Sequence, residues 1–184
     1  THAQLIYPAA DLSEQISLAG TEASGTGNMK MALNGAITVG TLDGANIEIR
    51  QAVGDEHFFL FGLTADEVRA RKAAGYRPRD HYDADAELRA VVDVVASGVA
   101  TGDPALFQPL VDQWMSADPY MLMADYRSYV DVQDAIGRRW RQDDRWTRHS
   151  IANVARAGWC SSDRSIGEYC ARIWDVAPGR VGRR

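Results

Sequence analysis

Glu22-Ala23-Ser24-Gly25-Thr26-Gly27-Asn28-Met29-Lys30-Met31-Ala32-Leu33-Asn34 decides how this chain of 184 residues is read. Gly25 and Gly27 permit backbone turns that a Cβ resists. Ser24, Thr26 and Asn28 set short polar side chains beside the free N–H groups of a helix start. The helix predicted over residues 28–34 is ended by Gly35 and carries Lys30 in its first turn. Lys30 and Lys72 are the only lysines among 20 basic residues. In a chain that otherwise uses arginine, a lysine at this place points to chemistry a guanidinium lacks, above all imine formation with an aldehyde.

A helix N-terminus offers unpaired donors and partial positive charge, which together suit a phosphate. An aldehyde and a phosphate held a few residues apart describe pyridoxal 5'-phosphate. The plainer reading, a glycine-rich turn followed by a capped helix, needs no ligand. Two other phosphate motifs are excluded. The stretch lacks the third glycine of a dinucleotide fingerprint, and no Gly-Lys-Ser/Thr follows the loop as a P-loop requires.

Outward from this stretch, the apolar run 5–7 reads as a buried strand stopped at Pro8. Residues 12–18 read as a short helix capped by Asp11 or Ser13. Beyond the signature, residues 36–40 form a strand, 45–51 a short helix after the Asp43-Gly44 turn, and 58–61 a third strand. Strands alternating with helices imply an α/β class with parallel pairing. Ligands of such sheets bind beyond the strands' carboxyl ends. From residue 64 the pattern is helical: 65–74, 84–97 with Leu88, Val91, Val92 and Val95 at helical spacing, a segment with Leu106, Leu110, Val111 and Trp114, then 126–140, 145–157 and 165–174. The chain therefore divides into an α/β segment, 1–63, and a mainly helical segment, 64–184, of one domain. Residues 78–82 and 98–104 read as loops. The tryptophans of the helical half read as core.

A net charge of −5 argues against a nucleic-acid partner. The arginines at 180, 183 and 184 are the exception and read as a solvated tail. No apolar stretch approaches the roughly 20 residues of a membrane span. Cys160 and Cys170 are too few for a disulfide framework and read as reduced thiols of a cytoplasmic protein. His2, His57, His81 and His149 show no ligand spacing, so no metal site is expected. Asp43 and Glu48 could be taken for an acid/base pair, but capping and turn formation explain them better. No catalytic residue is assigned.

The stretch 22–34 resembles the pyridoxal-phosphate attachment signature of the α-glucan phosphorylases (glycogen, starch and maltodextrin phosphorylase). Residues 7–17 precede it, and Gly40-Thr41-Leu42-Asp43-Gly44-Ala45-Asn46-Ile47-Glu48 follows it, as in that family. Phe58-Phe59-Leu60-Phe61-Gly62, Ala124-Asp125-Tyr126, Trp146-Thr147 and Ser161-Ser162-Asp163-Arg164 are further landmarks in the same order. The resemblance covers essentially the whole chain but only the C-terminal quarter of the family's length, so the chain reads as a fragment of a larger enzyme. It implies part of the C-terminal Rossmann-like domain of a two-domain glycosyltransferase-B-type fold, followed by a helical C-terminal half.

The resemblance further implies cleavage of terminal α-1,4-glucosidic bonds by inorganic phosphate to give glucose 1-phosphate, in a cytoplasmic homodimer acting in glycogen metabolism. On it, Lys30 anchors the cofactor and Thr26 and Gly27 bind its phosphate. Glu22, with the backbone of Ala23, Ser24 and Gly25, binds glucose hydroxyls. Two adjoining phosphates repel and need cations. Before Arg50 the chain offers only Lys30, His2 and the terminal amine. The fragment alone is therefore expected to be inactive, its missing cations lying in the rest of the phosphorylase chain. Two other readings stay open: a non-catalytic folding or interaction module, and a sugar-nucleotide glucosyltransferase of similar architecture, which needs no Lys30.

Overall fold

Three short parallel strands organise the chain in a computed structural model that describes residues 1–99 and 101–177; the arginine tail at 180–184 lies outside them. Strand β1 (Leu12–Gln15) pairs with β2 (Ile37–Gly40), which pairs with β3 (Phe59–Leu60). The register sets Leu12 beside Ile37 and Gln15 beside Gly40, then Val39 beside Phe59. Parallel neighbours need crossovers, and short helices supply them. Helix α2 (Gly27–Leu33) joins β1 to β2, and α3 (Asn46–Val53) joins β2 to β3.

The central strand is buried on both faces, as parallel sheets require. Ile37 and Val39 are fully enclosed and pack with Phe61 against Val132, Ile136 and Trp146. Those last three come from α8 (Leu122–Trp140) and α9 (Asp143–Arg156), so the C-terminal helices cover the sheet. A separate cluster of Ile49, Val53 and Phe58 lies under α3 and touches Met29 of α2.

The helical half is built from α4 (Ala65–Ala73), α5 (Pro78–Ala84), α6 (Ala86–Ala96) and α7 (Gln108–Ser116), then α8, α9 and α10 (Ser162–Tyr169). Leu88 and Val92 of α6 meet Val111 of α7 and Met123 of α8, while Val91 of the predicted stripe stays exposed. Leu106 and Leu110 are also exposed, and Val111 alone of that quartet is buried. Trp146 is core, whereas Trp140, Trp159 and Trp174 are half exposed.

Three local expectations are corrected. First, the apolar run 5–7 is no strand: it belongs to a helix, α1 (His2–Ala9), with no buried residue and Pro8 in its last turn. Its start is held by Gln4, whose N–H donates to the Thr1 carbonyl at 3.1 Å. Second, residues 12–15 are a strand and not a helix. The local polarity of Leu12-Ser13-Glu14-Gln15 is overridden by the backbone ladder that β2 offers. Neither Asp11 nor Ser13 caps a helix there. Third, 78–82 is no loop, because Pro78 occupies the first turn of α5, where its missing N–H has no partner to lose.

Candidate functional site

The loop between β1 and α2 leaves the carboxyl end of the sheet and carries Glu22, Ala23, Ser24, Gly25 and Thr26, while Gly27 and Lys30 lie in α2 itself. Gly20 and Gly25 have φ of +89° and +82°, so the chain reverses at both ends of the stretch that carries Glu22, Ala23 and Ser24. All three of those residues are exposed. The Glu22 carboxylate bends back to accept the Ser24 N–H at 3.2 Å. Ala23 and Ser24 line a cleft of about 270 Å³ together with Gly44, Glu48, Trp159 and Cys160.

Thr26 precedes α2, and its carbonyl accepts the Lys30 N–H at 3.2 Å. The Thr26 hydroxyl makes no capping bond. The N–H groups of Thr26, Gly27 and Asn28 have no acceptor among the described residues. Beside Gly27, the position a Cβ would take has no heavy atom within 4 Å. Lys30, the fourth residue of α2, is exposed, with its amine 5.9 Å above the Tyr7 ring. It forms no ion pair among the described residues. The junction thus offers a free primary amine, unpaired backbone donors and open space. Those are the requirements for imine formation next to an anion.

The positive charge that lines the cleft at Arg164 is already committed. Arg164 stacks on the Trp159 ring at 3.8 Å, donates to the Trp159 carbonyl at 2.7 Å and pairs with Glu168 at 2.6 Å. Burial pushes the Cys160 thiol up from its ordinary value, which keeps it protonated and weakly nucleophilic. Cys160 and Cys170 are both free thiols.

Asp43 is engaged by the loop that precedes α2. Its buried carboxylate accepts the Gly20 N–H at 2.8 Å and the Glu22 N–H at 2.9 Å, with the Thr21 hydroxyl at 3.5 Å. The expectation of a structural turn holds, although the side chain grips the preceding loop and does not cap α3. Sequence reasoning set Asn28 at the helix start but missed its partner Asn46; both are buried, and their side-chain amides join at 2.8 Å. Two asparagines, each at a helix start after a glycine-rich turn, were the available signal.

Among the described residues no cluster of three or more His, Cys, Asp or Glu is arranged to hold a metal ion. No helix among them is long and apolar enough to cross a membrane.

Comparison with known proteins gives a consistent result. The sequence model of the carbohydrate phosphorylase family matches residues 1–176. The chain is similar to a glycogen phosphorylase of Synechocystis sp., 56% identical over 176 residues, covering 95% of this chain and 21% of the relative. A glycogen phosphorylase of Haemophilus influenzae is 50% identical over 98% of this chain and 22% of its own length. The muscle form from Mus musculus is 45% identical over 97% of this chain and 21% of its own. The chain therefore spans about a fifth of the length of the curated relatives it matches.

Proposed function

Because this chain belongs to the carbohydrate phosphorylase family, we propose that it supplies the cofactor anchor and one wall of the sugar pocket of an α-glucan phosphorylase. The enzyme would use inorganic phosphate to cleave terminal α-1,4 bonds of a glucan, releasing glucose 1-phosphate. One observation carries this reading: Lys30, exposed and without an ion pair among the described residues, follows the unpaired N–H donors of Thr26, Gly27 and Asn28 by two to four residues at the start of α2. Pyridoxal 5'-phosphate fits that donor set, with Lys30 as its covalent anchor and Thr26 and Gly27 on its phosphate. When bound, the cofactor supplies through its 5'-phosphate a proton relay to the substrate phosphate.

The remaining work falls to the chain's own groups. Glu22 holds a carboxylate acceptor for sugar hydroxyls on an exposed loop, and Ala23, Ser24 and Gly25 present backbone groups beside it. Loop reversal at Gly20 and Gly25 keeps these groups together. The cations that balance two phosphates come, on this reading, from a longer polypeptide. There, residues 1–63 complete a Rossmann-like domain of a glycosyltransferase-B-type fold and 64–184 form its helical end. A cytoplasmic homodimer belongs to the same reading, as does the inactivity of this chain on its own.

The test is borohydride reduction of the full-length phosphorylase polypeptide that contains this chain, in the presence of pyridoxal 5'-phosphate, followed by peptide mapping. The expected label is on Lys30. A label on Lys72 instead, or none, overturns the assignment. It would then favour a non-catalytic module or a sugar-nucleotide glucosyltransferase, neither of which uses Lys30.

A further inference from the structure

The β2–α3 turn touches the signature loop at two separate places, through two buried side chains three residues apart. We infer that residues 43–46 form a two-armed template, in which Asp43 positions the sugar-binding residues and Asn46 positions the cofactor-binding end of α2. This rests on the functional reading above and adds to it that the two tasks have separable supports.

The first arm is a carboxylate, 3% exposed, that spends both oxygens on the loop. Oδ1 takes the Gly20 N–H and Oδ2 the Glu22 N–H. The Glu22 backbone is thereby fixed while Oε2 of its side chain, the oxygen that Ser24 does not engage, stays free for a ligand. Gly44 makes room for this clamp, because a Cβ there would come within 2.4 Å of the Ser24 carbonyl oxygen and 2.9 Å of Glu22 Cγ. The Ala45 N–H completes it by donating to that same Ser24 oxygen at 2.5 Å.

The second arm is an amide. Asn46 Nδ2 donates to the Thr41 carbonyl at 3.1 Å, which fixes the amide's orientation, and Asn46 Oδ1 accepts from Asn28 Nδ2 at 2.8 Å. Asn28 then turns its own Oδ1 to the Met29 N–H at 2.8 Å. One donor of the α2 first turn is consumed, and those of Thr26, Gly27 and Asn28 are left without an acceptor among the described residues. No hydrogen bond is shared between the arms. Asp43 and Asn46 are positioning residues, since neither is the group that meets sugar or cofactor.

The test uses the full-length phosphorylase polypeptide that contains this chain, measuring covalent pyridoxal content and glucose 1-phosphate kinetics. In Asp43→Asn the amide presents an NH₂ to either Gly20 or Glu22 whichever way it is turned, so one clamp bond is lost. KM for glucose 1-phosphate should rise on the order of tenfold, with kcat and pyridoxal content changing far less. Gly44→Ala removes no charge but displaces the Ser24 carbonyl, and should move the same constant. It keeps the test decisive if Asp43→Asn folds poorly. Asn28→Ala should act on the other side, with pyridoxal released on the order of tenfold faster and KM unchanged in enzyme that retains it. Substitutions in both arms that alter pyridoxal content and KM together, or neither, overturn the template alone. Unsubstituted enzyme without covalent pyridoxal overturns the functional reading and the template with it.

Discussion

His57 and His149 meet Nδ1 to Nδ1 at 2.9 Å, although 92 residues separate them. The second nitrogen of each ring assigns the protons. Arg139 approaches His149 Nε2, and a guanidinium has only donors, so Nε2 accepts. Neutral His149 then carries its hydrogen on Nδ1 and gives it to His57, whose Nε2–H faces the Glu56 carboxylate at 3.4 Å. Arginine, two imidazoles and a carboxylate form one directed chain joining α8, α9 and the 3₁₀ turn Asp55–His57. A proton added to either ring breaks it.

Stability should therefore fall on mild acidification. Burial, then Arg139 and His57, hold the His149 pKa below its ordinary value of 6.5, with Arg145 adding to this and Glu56 opposing it. A depressed folded value means the stabilisation is complete above 6.5 and is lost as pH falls from there through the folded value. The carboxyls of Glu56, Glu67 and Asp85 are also lowered, but they act in a more acidic window. His81 is lowered in the same direction by its own burial, so the informative quantity is a difference. Between about pH 7.5 and about pH 5.5 the Tm of the unsubstituted chain should drop more steeply than that of His149→Gln. Parallel curves would remove the histidine pair as the cause.

Lys30→Arg separates anchorage from folding. The side chain is exposed and its amine stands over the Tyr7 ring, so the cost to stability should stay within about 1 kcal/mol. A guanidinium forms no imine, so borohydride should fix no pyridoxal to the protein. Full labelling of the variant would show that the covalent link lies elsewhere.

Glu22→Gln probes sugar recognition without touching the backbone clamp, since the Glu22 N–H still reaches Asp43. Loss of a charged acceptor is worth roughly 1.5–3 kcal/mol. In the full-length enzyme kcat/KM for glucose 1-phosphate should fall by about ten- to a hundredfold, with pyridoxal content unchanged. Unaltered kinetics would reduce Glu22 to a turn residue.

Asp118→Ala should destabilise the helical half through its polar contacts. Asp118 is 1% exposed and accepts the Leu122 and Met123 N–H groups at the start of α8, each at 2.9 Å, together with the Tyr76 hydroxyl at 2.7 Å. Burial and this carboxylate push the Tyr76 phenol well above its ordinary value, so it remains a donor. Removing the acceptor should cost roughly 2–3 kcal/mol, read as a shift in the urea midpoint. A loss below that of an exposed cap would place the stability of this corner in the apolar contacts of Leu18, Leu63, Val68 and Met121.

The signature helix, the second and third strands and the long C-terminal helices were legible because their causes are local: a glycine stop at Gly35, a short β-branched run at 37–39, apolar spacing of 3.6. The N-terminal elements were not. An apolar triplet before a proline suits strand or helix equally, and here α1 exposes Leu5 and Ile6. Strand β1 exists through its pairing with β2, a partner that no window around Ser13 contains. Pro78 did carry a usable signal, the preference of proline for a helix's first turn. At the site, the proposed binding residues could be read as one contiguous motif. The supports behind them, Asp43 reaching back to Gly20 and Asn46 to Asn28, come from tertiary folding, as does the meeting of His57 with His149.

Coverage of the sheet by α8 and α9 also sets an order of events during synthesis. Ile37 and Val39 are synthesised about 100 residues before α8, the first of the helices that bury them, is complete at Trp140. At 5–20 residues per second the sheet waits roughly 5–20 s with one face bare. For that interval the nascent chain presents an uncovered parallel sheet and depends on whatever shields it in the cell, so a pause or truncation ahead of α8 exposes the chain to aggregation.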